Sequence, residues 1–190
     1  MRATGIVRRI DELGRVVIPK EIRKTMRIRE GDPLEIFTEK DGEVIFKKYS
    51  PVGEIGGIAT DCAESLHKAA DVSVIVCDRD TVVASSGVPK REYNDRPITA
   101  QLEKLCESRS AYTHGGEKLY PVDGCSRYVS CAAPIVCDGD VIGVVASLSD
   151  NDGKTAPDDV RLINTAANFI ASQISGKEGG RGMKSSLTVG

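Results

Sequence analysis

Four cations near the start of the chain have the type and spacing to grip a polyanion: Arg8, Arg15, Arg23 and Lys24. A guanidinium offers a planar fork of N–H donors that matches a phosphate or a guanine edge bidentately, and an ammonium offers a compact point charge. Their use depends on which way they face. Residues 4–10 and 15–18 read as two strands joined by the turn Asp11-Glu12-Leu13-Gly14. With a loop of two or four residues, Ile10 is expected opposite Arg15 and Arg8 opposite Val17. Opposed residues share a face and side chains alternate along a strand, so Arg8 and Arg15 would project together and Arg9 the other way. Pro19 opens a short helix over residues 20–26 that carries Arg23 and Lys24, with Arg27 one turn after Arg23. If two copies presented all four cations to phosphate, the roughly eight contacts would set an upper bound of about −7 on the log–log salt slope of binding.

Other groups with chemical potential are less well placed. Cys125, Cys131 and Cys137 recur every six residues, and the last two are expected on the same side of one strand. No Cys-x-x-Cys pair accompanies them or the remaining Cys62, Cys77 and Cys106, and a buried cysteine acting as a small hydrophobe is the commoner case. His67 lies on a helical pattern and His114 beside Gly115-Gly116 in an expected loop, neither with a nucleophile or acid at useful spacing. No phosphate-binding glycine loop or paired-acid pattern stands out, so no cofactor, no metal and no catalytic residue is assigned, and the chain reads as a non-enzyme.

The elements that must position the cations explain why they are not scattered. Of 190 residues, 40% are apolar and 28% charged, with a net charge of −2. The charge divides unevenly. Residues 1–50 hold 12 basic and 9 acidic side chains, a net of +3, and within residues 1–29 the balance is 9 to 3, a net of +6. Residues 51–190 hold 14 and 19, a net of −5, so a basic head precedes an acidic body. A boundary falls at Lys47-Lys48-Tyr49-Ser50-Pro51, after a hairpin of residues 34–38 and 44–48 around Asp41-Gly42. About fifty residues of short strands with one helix bury too little apolar surface to stand alone, and all six cysteines lie outside them, so the head is expected to dimerise. Residues 51–56 read as a linker and 57–176 as an α/β domain. Its helices are expected at 54–70, 98–107 and 157–174, and its strands at 72–77, 81–85, 127–137 and 141–148. Residues 177–190 read as a disordered tail. The start leaves no room for a signal peptide and no apolar run matches a membrane span, so a cytoplasmic protein with no membrane partner is expected.

The run Thr4-Gly5-Ile6-Val7-Arg8, then Asp11-Glu12-Leu13-Gly14-Arg15-Val16-Val17-Ile18-Pro19, then Glu21-Ile22-Arg23-Lys24 resembles the AbrB-type swapped-hairpin family of bacterial transition-state regulators. Gly31-Asp32-Pro33-Leu34-Glu35-Ile36 and Lys47-Lys48-Tyr49 extend the likeness over nearly all of residues 1–50. The resemblance implies a mostly β swapped-hairpin barrel formed by two chains, double-stranded DNA as partner, and DNA contacts at Arg8, Arg15, Arg23 and Lys24. The last position is usually Arg in that family, and Lys lacks its planar fork. DNA shape and deformability are implied to matter more than a strict base code. Pro134-Ile135-Val136, Gly139 and Val141-Ile142-Gly143-Val144-Val145 resemble the final hairpin of a GAF domain, an antiparallel sheet flanked by helices. A head of this type followed by a helix and a GAF domain resembles regulators of late sporulation genes that act in the forespore. It implies a homotetramer in which paired GAF domains join two DNA-binding dimers, and leaves room for an unknown small-molecule ligand. The apolar faces of helices 54–70 and 157–174 could make that tetramer contact or simply cover the domain's own sheet.

Two other classes compete. Some GAF-fold proteins are cysteine-dependent enzymes that reduce free methionine sulfoxide, but they do not usually carry a DNA-binding head. Antitoxins share the swapped-hairpin barrel, but usually follow it with a disordered tail, where this chain has a patterned domain.

Overall fold

The computed structural model describes residues 5–151 and 155–182. It divides into two compact units, residues 1–49 and 50–190.

In the first unit, helix α1 (Lys20–Thr25) precedes an antiparallel hairpin of β1 (Leu34–Thr38) and β2 (Val44–Lys48), paired from Thr38↔Val44 to Leu34↔Lys48. The β1–β2 turn is closed by the Glu39 N–H donating to the Glu43 carbonyl at 3.0 Å and the Gly42 N–H to the Glu39 carbonyl at 3.2 Å. Gly42 has φ +81°, which glycine adopts without strain. The loop thus has three residues, Lys40, Asp41 and Gly42, its glycine forming a one-residue bulge. Residues 5–10 and 15–18, expected as strands, belong to none. A strand needs a hydrogen-bonded neighbour, and among the described residues this chain supplies neither segment with one beyond the turn between them. Among its described residues the unit has almost no core: apart from Pro19, buried apolar side chains begin at Val52, while Val7, Ile10, Leu13, Val17, Ile36 and Val44 are exposed.

The second unit is an antiparallel five-stranded sheet with helices on both faces. Its strands are β3 (Ser73–Asp78), β4 (Val82–Ser86), β5 (Tyr112–Thr113), β6 (Tyr128–Cys137) and β7 (Asp140–Ser149), in the order β4-β3-β7-β6-β5. Helices α2 (Pro51–Glu54), α3 (Gly56–Ala70) and α6 (Pro157–Gly182) cover one face, and α4 (Lys90–Tyr93) and α5 (Ala100–Glu107) with the loop before β6 cover the other. The strands are apolar on both sides because both sides are covered: Val74 and Val76 point into one layer, Ile75 and Cys77 into the other. The expected helix faces turn inward. Ala59 and Ala63 of α3, with Ile163, Ala167, Ile170 and Ile174 of α6, are buried against the sheet. These two faces cover their own domain. Residues 51–56, read from the sequence as a linker, include α2, and Val52 and Ile55 are buried in the same layer. The Ser50 hydroxyl accepts the Gly53 N–H at 3.0 Å and donates to Asp78 at 2.8 Å, tying the start of α2 to the end of β3. Of the expected tail, residues 177–182 continue α6, and 183–190 lie outside the described residues.

Candidate nucleic-acid interface

The turn between the first two segments is built around one carboxylate. Asp11 Oδ1 accepts the N–H groups of Leu13 (3.0 Å) and Arg15 (2.8 Å), and Oδ2 accepts the Arg15 Nε–H at 2.7 Å. The Arg15 backbone N–H, then its side chain, hold the Asp11 carboxyl below its ordinary acidity range. The backbone closes with the Asp11 N–H to the Arg15 carbonyl (3.1 Å) and the Gly14 N–H to the Asp11 carbonyl (3.0 Å), with Gly14 at φ +75°. This is the β1–β2 turn again: a three-residue loop whose glycine is a bulge. It makes Asp11, not Ile10, the residue opposite Arg15. Continued regularly, as β1–β2 continues from Thr38↔Val44, it sets Ile10 against Val16, Arg9 against Val17 and Arg8 against Ile18. The register expected from sequence is therefore displaced by one, and a one-residue slip exchanges faces. Pairing that grows from this turn sets Arg15 with Arg9 rather than with Arg8.

Arg23 and Lys24 occupy the last turn of α1. The helix follows Pro19, whose ψ of 149° lies outside the helical range. It ends in a Schellman arrangement, with the Ile28 N–H bonded to the Arg23 carbonyl (2.8 Å) and the Arg27 N–H to the Lys24 carbonyl (3.3 Å). Arg27 takes the left-handed position, φ +51°, which usually falls to glycine. A second anchor holds this stop. The buried Asp32 carboxylate accepts the Arg29 N–H at 2.8 Å and pairs with Lys48 Nζ at 3.0 Å, and Lys48 also donates to the Arg27 carbonyl at 2.9 Å. Lys48, one of the head's cations, thus faces inward to fix the end of α1.

Arg8, Arg15, Arg23 and Lys24 are all exposed. Among the described residues, Arg15 alone of the four has a side-chain partner, Asp11. Sequence reasoning missed the roles of Asp11 and Asp32. The available signals were an Asp four residues before an Arg, and an Asp beside the Gly31 turn with a Lys on the facing strand.

In the second unit the thiols divide between the two layers. Cys131 and Cys137 lie beneath the helices of one face, as the strand parity required, whereas Cys125 packs on the other with Cys77 and Cys106. Burial, and secondarily the charge of Asp159, pushes the Cys131 thiol up to about 11, and burial raises the Cys77 thiol well above its ordinary value. Among the described residues no group of three or more His, Cys, Asp or Glu could hold a metal ion. His67 Nδ1 lies 3.1 Å from the Val72 carbonyl at the end of α3. His114, next to β5, packs its ring on Tyr128 at 4.7 Å between centroids. A shallow cavity of about 510 Å³ opens between the start of α5 and residues 120–126, lined by Thr99, Gln101, Tyr120, Asp123, Cys125 and Ser126.

A basic head, with Arg15 on a turn and Arg23 and Lys24 on a short helix, and a helix-flanked antiparallel sheet make this a two-domain chain with an α/β body. Comparison with known proteins makes the assignment specific. A family described as stage V sporulation protein T C-terminal, transcription factor, matches residues 54–175, and one described as antidote-toxin recognition MazE, bacterial antitoxin, matches residues 7–54. Stage V sporulation protein T of Bacillus subtilis (strain 168) is 47% identical over 177 residues, 92% of this chain and 99% of that protein. The chain belongs to the stage V sporulation protein T family of transcription factors. Transition state regulatory protein AbrB of the same organism is 59% identical over 51 residues, 27% of this chain and 52% of that protein. The blue-light absorbing form of the Thermosynechococcus elongatus PixJ GAF domain superposes with a TM-score of 0.54 at 15% identity, over 74% of this chain and 96% of that one, which shows the GAF-like fold of the second unit.

Proposed function

We propose that this protein holds duplex DNA through residues 1–50 of two copies, using Arg8, Arg15, Arg23 and Lys24 of each, and regulates late sporulation genes in the forespore of a spore-forming bacterium. The observation that carries this reading is a head in which, among the described residues, every large apolar side chain falls short of burial and the four cations are exposed. Such a unit gains a core by pairing with a second copy, which also doubles the cationic set. The likeness to a transition-state regulator over these residues supports the same reading. The body, residues 57–176, serves to join two such dimers or to sense a small molecule. Its inward-facing apolar helices leave Phe169 of α6 exposed as a contact for another copy.

Fluorescence anisotropy with labelled duplexes tests the DNA reading on the full chain. Exchanging both Arg8 and Arg15 for alanine is expected to weaken binding at least tenfold, at about 1–3 kcal/mol per lost contact, and to flatten the salt dependence. Intact affinity in that double variant overturns the assignment. Analytical ultracentrifugation reads the assembly, and a monomer at micromolar concentration overturns the paired head.

The antitoxin reading is favoured by the family match over residues 7–54. A folded body belonging to a transcription-factor family follows the head here, where that reading calls for a toxin-wrapping tail. Co-purification of a toxin with the chain would reinstate it.

A further inference from the structure

Arg15 differs from the other three candidate contacts in being held. Its side chain is 70% exposed, yet its Nε–H is committed to Asp11 Oδ2 at 2.7 Å, while Asp11 Oδ1 caps the backbone N–H groups of Leu13 and Arg15. One carboxylate therefore shapes the turn and the guanidinium standing on it. With Nε engaged, the two terminal nitrogens remain as a donor pair, the edge that takes a phosphate or a guanine bidentately. An exposed arginine free of such a hold must lose its rotamer freedom on contact with DNA; one already pinned loses less.

We propose, on the reading of the head as a DNA-binding unit, that Asp11 is a positioning residue that presets Arg15 for bidentate contact with DNA. The opposite expectation is well defined. Asp11 also brings a negative charge to a surface meant for a polyanion, so if its charge were all that mattered, removing it would tighten binding. Geometry and charge thus predict changes of opposite sign.

Asp11→Asn separates them. Asn keeps an oxygen for the Leu13 and Arg15 N–H groups and is well suited to such turns, so the fold survives, but the ionic hold on Nε is gone. The test measures dissociation constants from duplex DNA for four full-length proteins: the parent, Asp11→Asn, Arg15→Ala and the double variant. Asp11→Asn is expected to weaken binding roughly three- to tenfold in the parent, the cost of ordering a long side chain, and to cause no loss in the Arg15→Ala background. The salt slope is expected to fall by about one for Arg15→Ala and to stay unchanged for Asp11→Asn. In nitrogen-15 NMR of the free protein, the Arg15 Nε–H signal is expected to be visible in the parent and lost to solvent exchange in Asp11→Asn.

If Arg15→Ala leaves affinity intact, the DNA-contact role of Arg15 fails and positioning fails with it. If Arg15→Ala weakens binding but Asp11→Asn tightens it, or weakens it equally in both backgrounds, the contact stands and the positioning role is overturned.

Discussion

Replacing Asp32 by alanine removes the group on which the end of α1 is fastened, and its cost follows from the contacts. The Asp32 side chain is 1% exposed, accepts the Arg29 N–H and pairs with Lys48, whose side chain is 22% exposed. Breaking a fully buried ion pair costs about 3–5 kcal/mol. Lys48 retains water on part of its surface and keeps its bond to the Arg27 carbonyl, so the loss is reduced to about 2–3 kcal/mol. Asp32→Asn preserves an acceptor for Arg29 and costs about 1 kcal/mol less than alanine. Combining Asp32→Asn with Lys48→Met is expected to cost less than the two separate effects together, since each single change removes the same pair. Amide hydrogen exchange in the full chain reads the effect where it arises. The Met26, Arg27 and Ile28 N–H groups, bonded to the carbonyls of Ile22, Lys24 and Arg23, are expected to lose protection by about thirty- to a hundred-and-fiftyfold in Asp32→Ala. DNA affinity is expected to fall with an unchanged salt slope, because Arg23 and Lys24 remain but are no longer held in place. Unchanged exchange at residues 26–28 would refute the reasoning and make Lys48 an ordinary surface cation.

Other outcomes follow from the same structure. Gly143→Ala is expected to abolish folding of the body, because a Cβ there runs into the Cys77 carbonyl oxygen at the β3–β7 contact; a cooperative thermal transition near that of the parent would contradict it. Cys131 carries a thiolate fraction on the order of one in a thousand at pH 8, from a thiol pushed up to about 11, and burial likewise suppresses the Cys77 thiolate. Mass spectrometry after brief iodoacetamide treatment is therefore expected to find both unmodified in the native protein and alkylated once it is unfolded. Ile170→Ala, on the buried face of α6, is expected to destabilise the body by about 2–5 kcal/mol without changing the denaturant m-value, as measured by urea titration.

Local pattern alone sufficed for much of this protein. Apolar residues three and four apart marked α3, α5 and α6, alternation and β-branched runs marked β3, β4, β6 and β7, and the charge division located the basic head, because each depends on neighbours within a turn or a strand pair. Short elements, α4 and β5, escaped because four and two residues carry no period. Tertiary structure decided what pattern leaves open. A single bulged residue at Gly14 set the register of the first turn, placing Asp11 rather than Ile10 opposite Arg15. The apolar faces of α3 and α6 had two candidate partners, and proximity to their own sheet chose between them. Sequence reasoning assigned no partner to Lys48 or Asp11. Only chain folding brings Lys48 to Asp32, sixteen residues away, and only the turn's closed geometry lets one carboxylate reach both the backbone and the side chain of Arg15. Composition can show that the head is basic, but which of its charges face a partner is decided by contacts distant in sequence or by the exact count of residues in a loop.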